Sequence, residues 1–436
     1  MKSTLLGFQH LLAMYAGAVL VPLIVGGAIG LDAKQLTYLV SIDILMCGVA
    51  TFLQIMTNRF VGIGLPVVLG CTFTAVGPMI SIGDKYGISS IYGAIIASGL
   101  IIVIISKFFG SLVRFFPPVV TGSVVTIIGL TLIPVALNNM GGGMDAPDFG
   151  SWQNIALSFG TLLMIVLIYR FTKGFLRSIS ILLGMVAGTI AGIFMNVVDF
   201  APVKDADLFH MVQPFYLATP TFDLLPIITM TLVAMVSLVE STGVYFALGD
   251  ICEKDLKQKD LEKGYRAEGL ASVIGGIFSA FPYTTFSQNV GLIQMSGVKS
   301  RRVIAITAGM LILLGFMPKI AALAIIIPTS VLGGAMVAMF GMVVVQGIKM
   351  LSKVVADSQD NAMIIACSVG LGLGVSVVPK LFAGLPESFQ ILTSNGIVAG
   401  SSVAIVLNII FNMLPSKKRK EREQKEAAVL LAKQEA

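Results

Sequence analysis

Charge is scarce in this sequence. Of 436 residues only 12% are Asp, Glu, Lys or Arg, while 56% are hydrophobic and the mean hydropathy is +0.93. A soluble domain carries about a quarter charged residues, so a water-soluble globular chain is excluded and an integral membrane protein is implied. Histidine is rarer still, with two copies, and the four cysteines Cys47, Cys71, Cys252 and Cys367 have no metal-ligand spacing. They read as free thiols used for small apolar packing. No HExxH, GxSxG or paired-aspartate pattern occurs, which argues against a membrane-embedded hydrolase. No enzyme activity, metal or cofactor is expected. The opening "MKSTLLGFQHLLAMYAG" lacks a small-residue cleavage pattern and reads as a first span, not a removed signal.

What the sequence does have is apolar runs repeated down its whole length, among them Ile91 to Ser106, Val119 to Leu137 and Ile155 to Ile168. Such runs predict an all-α polytopic bundle. Counting two short discontinuous spans, near 66–80 and 283–297, gives about fourteen. The basic residues then gather in the even-numbered loops: Arg59, then Lys107 with Arg114, then Arg170, Lys173 and Arg177, and so on to Lys349 and Lys353. By the positive-inside rule those loops and both termini face the cytoplasm of a plasma-membrane protein. The net charge of +6 therefore reports topology, and no nucleic-acid partner is expected. After Pro415 the composition turns sharply polar, and 416–436 reads as a solvated cytoplasmic tail.

The sequence also repeats itself. "LPVVLGCTFTAVGPM" from Leu65 and "FPYTTFSQNVGLIQM" from Phe281 are both proline-led, and both are too short or too polar for a plain span. About fifty residues later each half carries a proline and a glycine five positions apart, Pro117 with Gly122 and Pro328 with Gly333. An odd number of spans per copy turns the second copy over in the membrane, so the expected plan is two inverted seven-span repeats, 1–200 and 223–415, joined by an external linker at 201–222. Substrate sites of such folds lie between the discontinuous helices.

The residues of those two segments say what the breaks are for. Tyr283 to Phe286 and Val67 to Phe73 favour extended backbone, and a half-helix can begin at Asn289. Extended backbone at membrane depth must be covered, so the two pieces are expected to pair with each other. Each half-helix would then aim free N–H groups at the centre, suiting carbonyl oxygens or an anion. Glu240 lies deep in a span, where a carboxylate reads as a functional residue. Glu268 lies near the start of the next span, where proton coupling or gating is one reading and an interfacial position beside Arg266 the other. His10, taken alone, reads as a hydrogen-bonded packing residue.

"SQNVGLIQMSGVKSR" resembles the signature of the nucleobase-ascorbate transporters, with Gln288, Asn289, Gly291, Ser296, Lys299 and Arg301 at its positions. Phe8 to His10, "LPVVLGCTF", "VESTGVYFALGD" and "GYRAEGLAS" extend the resemblance over nearly the whole chain. It implies fourteen spans in a core and a gate domain, an elevator-like movement, and proton-coupled nucleobase uptake, often by a homodimer. Carried over, it implies Glu240 as substrate carboxylate and Gln288 as substrate amide. It further implies backbone N–H groups of Phe73 and Ser287 facing ligand carbonyls, the rings of Phe73 and Phe286 packing on the ligand, and Glu268, Asn289 and His10 in coupling or site support. Two positions depart from the pattern: Glu268 stands where relatives often have Asp, and Val244 where some have a polar group.

Xanthine fits this set on chemical grounds, since its edges alternate N–H donors with carbonyl acceptors that a carboxylate, an amide and helix N-termini can match. Uric acid, with one more oxygen, and uracil remain alternatives. An anion exchanger of similar architecture is less compatible with a carboxylate at the centre.

Overall fold

The structure, a computed structural model, describes residues 2–112, 115–144, 146–355, 358–382, 384 and 395–414. Arg114 and the tail at 416–436, both used in the sequence reading, lie outside the described residues. The helices are α1 (Lys2–Ala28), α2 (Ala33–Ile55), α3 (Val76–Tyr86), α4 (Ile88–Leu112), α5 (Pro118–Met140), α6 (Trp152–Phe171), α7 (Phe175–Ser178), α8 (Ser180–Phe194) and α9 (Ala201–Asp205). Then follow α10 (Leu224–Cys252), α11 (Gln258–Ile277), α12 (Ser287–Ser296), α13 (Arg301–Gly315), α14 (Pro318–Ile325), α15 (Thr329–Val355), α16 (Gln359–Val377) and α17 (Gly396–Asn408). Among the described residues nine of these are long and apolar enough to cross a membrane unaided. Fourteen segments result when α8, α11, α13 and the half-length α3 and α12 are included with them. The pair α13 and α14 is bent by 83°, so α14 is a lateral piece and not part of a straight span.

Local chemistry sets the starts of these helices. Asp32 opens α2 with a capping box: its Oδ1 accepts from the Gln35 N–H at 2.8 Å, and its own N–H donates to Gln35 Oε1 at 3.1 Å. Pro118 occupies the first position of α5, where a missing N–H costs nothing.

Helices satisfy their own backbone in lipid; extended segments cannot. The two extended pieces expected from the sequence are β1 (Leu69–Cys71) and β2 (Tyr283–Thr285), and they pair antiparallel with Gly70 opposite Thr284. Thr72 N–H to Pro282 O and Phe286 N–H to Val68 O, both 2.9 Å, lengthen the ladder by one bond at each end.

Two packed bodies surround this crossing. One holds both strands with α1, α2, α4, α10, α11 and α13; the other holds α5, α6, α8, α15, α16 and α17. The repeated proline–glycine pairs belong to the second body. Pro117 precedes α5 and Pro328 precedes α15, and the glycines five residues on sit where these two helices press together. A Cβ on Gly333 would lie 2.2 Å from the Met140 amide nitrogen, and one on Gly122 would lie 2.7 Å from Leu351. Small residues permit this approach. Gly333→Ala is therefore expected to destabilise the purified protein by about 1–3 kcal/mol through overpacking, read as a lower melting temperature. Gly341→Ala on the same helix, whose Cβ would meet nothing within 4 Å, should not lower it.

The connection between α8 and α10 is a strap. Tyr38 on α2 donates to Gln213 O at 3.0 Å, the Phe215 N–H donates to Ile277 O at the end of α11 at 2.8 Å, and the Thr221 N–H donates to Ser89 O on α4 at 3.1 Å. His210 donates from Nε2 to Gly315 O at the end of α13 at 3.0 Å. Every one of these anchors belongs to the first body.

Candidate substrate site at the crossing strands

Each strand delivers the chain to a helix start. β1 leads through a 3₁₀ turn, Phe73–Ala75, into α3, and β2 leads through Phe286 into α12. The first amides of both turns have no intrahelical acceptor. Alongside runs α10, which touches both. Its Ser237 hydroxyl lies 3.3 Å from the Thr72 hydroxyl, and its Ser241 hydroxyl meets Thr284 Oγ1 at 3.1 Å and Thr285 Oγ1 at 3.2 Å. Residues four apart share a helix face, and Glu240 lies between these two contacts. The Glu240 side chain is half-buried, and among the described residues its carboxylate has no hydrogen bond and no ion pair. Ser287 and Gln288 are exposed on the first turn of α12, two and three residues beyond the Thr285 contact. The structure thus brings Glu240, Ser287 and Gln288 to one region, with Phe73 at the other helix start. Phe73 is half-buried and stands edge-on to Phe340 of α15, centroids 5.8 Å apart, so this ring reaches the second body.

Phe286, whose ring the resemblance implies packs on the ligand, is itself packed into the protein. It is 4% exposed, and its edge stands so close to Gly17 of α1 and Gly70 of β1 that a Cβ at either would come within 2.6 and 2.3 Å of the ring. Phe286 wedges the strand crossing against α1. Asn289 faces inward: its Nδ2 donates to His10 O at 3.0 Å and contacts His10 Nδ1 at 3.1 Å, tying α12 to α1.

Glu268 is enclosed by the protein. It is 2% exposed and accepts a hydrogen bond from the Tyr245 hydroxyl, which in turn accepts one from Gln54 of α2. Gln54 Nε2 also donates to Gly264 O at 3.1 Å, so one polar chain links α2, α10 and α11. Glu268 Oε2 has no partner among the described residues. Sequence reasoning passed over Tyr245, Gln54 and Asp43. The last is fully buried in α2, and an ionisable residue in mid-span was the same signal that singled out Glu240.

The basic end of the signature has a separate task. Arg301 Nη1 donates to Ile55 O in the last turn of α2 at 3.3 Å, where a cation also opposes the helix dipole. Lys299 lies 2.6 Å from exposed Glu253 and holds that carboxyl below the usual carboxylate range.

A half-buried carboxylate, unpartnered among the described residues, thus lies inside a bundle of membrane-crossing helices. Residues 1–381 match the family model Xan_ur_permease, described as Permease family. The chain belongs to this family, the nucleobase-ascorbate transporters; it is a multi-pass membrane transporter and not an enzyme. It is 63% identical to the xanthine permease of Bacillus subtilis over 97% of this chain and 96% of that protein. It is 62% identical to the uric acid permease PucK of the same organism over 93% and 95%. Among solved structures, the transmembrane domain of the cyanobacterial bicarbonate transporter BicA has the same fold, with a TM-score of 0.65 at 16% identity over 88% of this chain and 98% of that one.

Proposed function

We propose that this protein carries xanthine into the cell with protons across the plasma membrane, as an elevator-like homodimer with both termini cytoplasmic. The observation that carries the reading is Glu240, a carboxylate on the helix that touches both helix starts and, among the described residues, without a hydrogen bond or ion pair. Adjacent ring N–H groups of xanthine supply the missing donors, Gln288 meets a neighbouring donor–acceptor pair, and the Phe73 and Ser287 amides meet carbonyl oxygens. Phe73 supplies the ring contact; Phe286 holds the strands on which the site is built. Glu268, hydrogen-bonded to Tyr245, is assigned to coupling, with Asn289 and His10 as site support. The division into two bodies, one carrying the strands and the other carrying the tightly packed α5 and α15, supports movement of the first against the second. The similar identities to a xanthine and a uric acid permease favour a purine and keep uric acid as the competing substrate.

The test is radiolabelled xanthine uptake in a transport-deficient cell, with uric acid, guanine, hypoxanthine and uracil as competitors. Xanthine should compete best, a protonophore should collapse accumulation, and preloaded unlabelled xanthine should accelerate labelled entry, as a carrier requires and a channel does not. Stronger competition by uric acid reassigns the substrate. Accumulation that survives the protonophore and follows an imposed sodium gradient reassigns the ion.

A further inference from the structure

The entry to β2 has few backbone groups with which to fix itself. The Ala280 N–H is used by Gly275 O at 2.8 Å, and Pro282 has no N–H at all. That leaves the Phe281 N–H, which donates to Asp43 Oδ1 of α2 at 3.1 Å. The same oxygen accepts from the Tyr283 hydroxyl at 3.4 Å, so one carboxylate holds both the backbone before β2 and the side chain of its first residue. Tyr283 stands opposite Cys71 in the strand register. Asp43 therefore sits at one end of the crossing, while Ser241 grips the other end through Thr284 and Thr285. Asp43 and Glu268 occupy matching places, each the eleventh residue of the second helix in its half.

We infer that Asp43 is a positioning residue for substrate binding: it pins the start of β2 and thereby sets where Ser287 and Gln288 stand. The ladder is only three residue pairs long, and Phe286 wedges its far end against Gly17 and Gly70. A strand so short transmits displacement at Phe281 to the α12 start instead of absorbing it. The role belongs to an acceptor at Oδ1, which Asn also provides, and not to the charge. This assignment rests on the reading of Ser287 and Gln288 as ligand-facing.

The test compares wild type, Asp43→Ala, Asp43→Asn and Tyr283→Phe, by xanthine uptake at matched membrane abundance and by equilibrium binding of radiolabelled xanthine to purified protein. Asp43→Ala should raise KM and the dissociation constant about tenfold or more, as expected for a lost buried acceptor, with the maximal rate within about threefold. Asp43→Asn should restore both constants to within about threefold, and Tyr283→Phe should fall between the two. Unchanged binding by Asp43→Ala overturns the inference. So does a defect in Asp43→Asn as large as that of Ala, because the carboxyl group itself is then required; this arm decides even where the Ala protein fails to reach the membrane. Wild-type protein that binds no nucleobase refutes the proposed function instead, a separate result.

Discussion

Replacing Glu240 by Gln is expected to cut xanthine uptake by about a hundredfold or more while leaving the amount of protein in the membrane unchanged. The size follows from the chemistry of the replacement. A carboxylate accepts charge-assisted hydrogen bonds from two ligand N–H groups, each contributing about 1.5–3 kcal/mol. An amide turned toward the same edge offers one acceptor and one N–H, so a donor faces a donor. The unchanged abundance follows from the structure. Among the described residues the Glu240 carboxylate makes no hydrogen bond or ion pair, and removing a half-buried charge without a partner should not weaken the fold. The two measurements separate a binding group from a structural one: uptake should fall and the melting temperature should hold or rise. Normal transport by the variant would sink the assignment.

The second large effect is at Gln288. Gln288→Glu removes a donor and leaves only acceptors, so a ligand carbonyl or ring nitrogen is faced by a second acceptor. One unsatisfied buried group costs about 1–3 kcal/mol, or roughly five-fold to more than a hundredfold in affinity. The side chain is exposed on the first turn of α12, so the substitution leaves packing alone and the loss is read in xanthine binding to purified protein. Xanthine affinity that stays within about twofold means the side chain does not touch the ligand, and the polar stretch at 287–289 then serves the α12 start through Asn289 and His10.

How much of this was legible in the sequence depends on how local the cause is. The extended segments were, because a proline followed by β-branched and aromatic residues sets its own backbone and because lipid leaves unpaired extended chain one remedy. Glu240 was legible for a similar reason, as a carboxylate deep in an apolar span. Phe286 was not. A phenylalanine at the rim of a cavity and one wedged between glycines are identical in sequence, and the glycines concerned, Gly17 and Gly70, come from two other elements. The burial of Glu268 was also hidden, since its closeness to Arg266 suggested an interface while its environment is made by Tyr245 and Gln54 from other helices. Asp43 was visible as an ionisable residue, but its partners Phe281 and Tyr283 lie in the opposite half of the chain, and no periodicity announces such a meeting. The Pro–Gly repeat could be seen as a repeat without revealing that each glycine is the contact surface for the other copy's helix.

The strand crossing also bears on how the chain is made. Translation delivers Leu69–Cys71 long before Tyr283–Thr285, and throughout that interval the Val68 carbonyl and the Thr72 N–H lack the partners that Phe286 and Pro282 supply, in a medium that offers no substitute. The first half is therefore unfinished at its centre until the second half arrives. Its last hydrogen bonds close only when the second half has been threaded in the opposite sense. The crossing is thus complete only when both halves are in the membrane, in opposite senses.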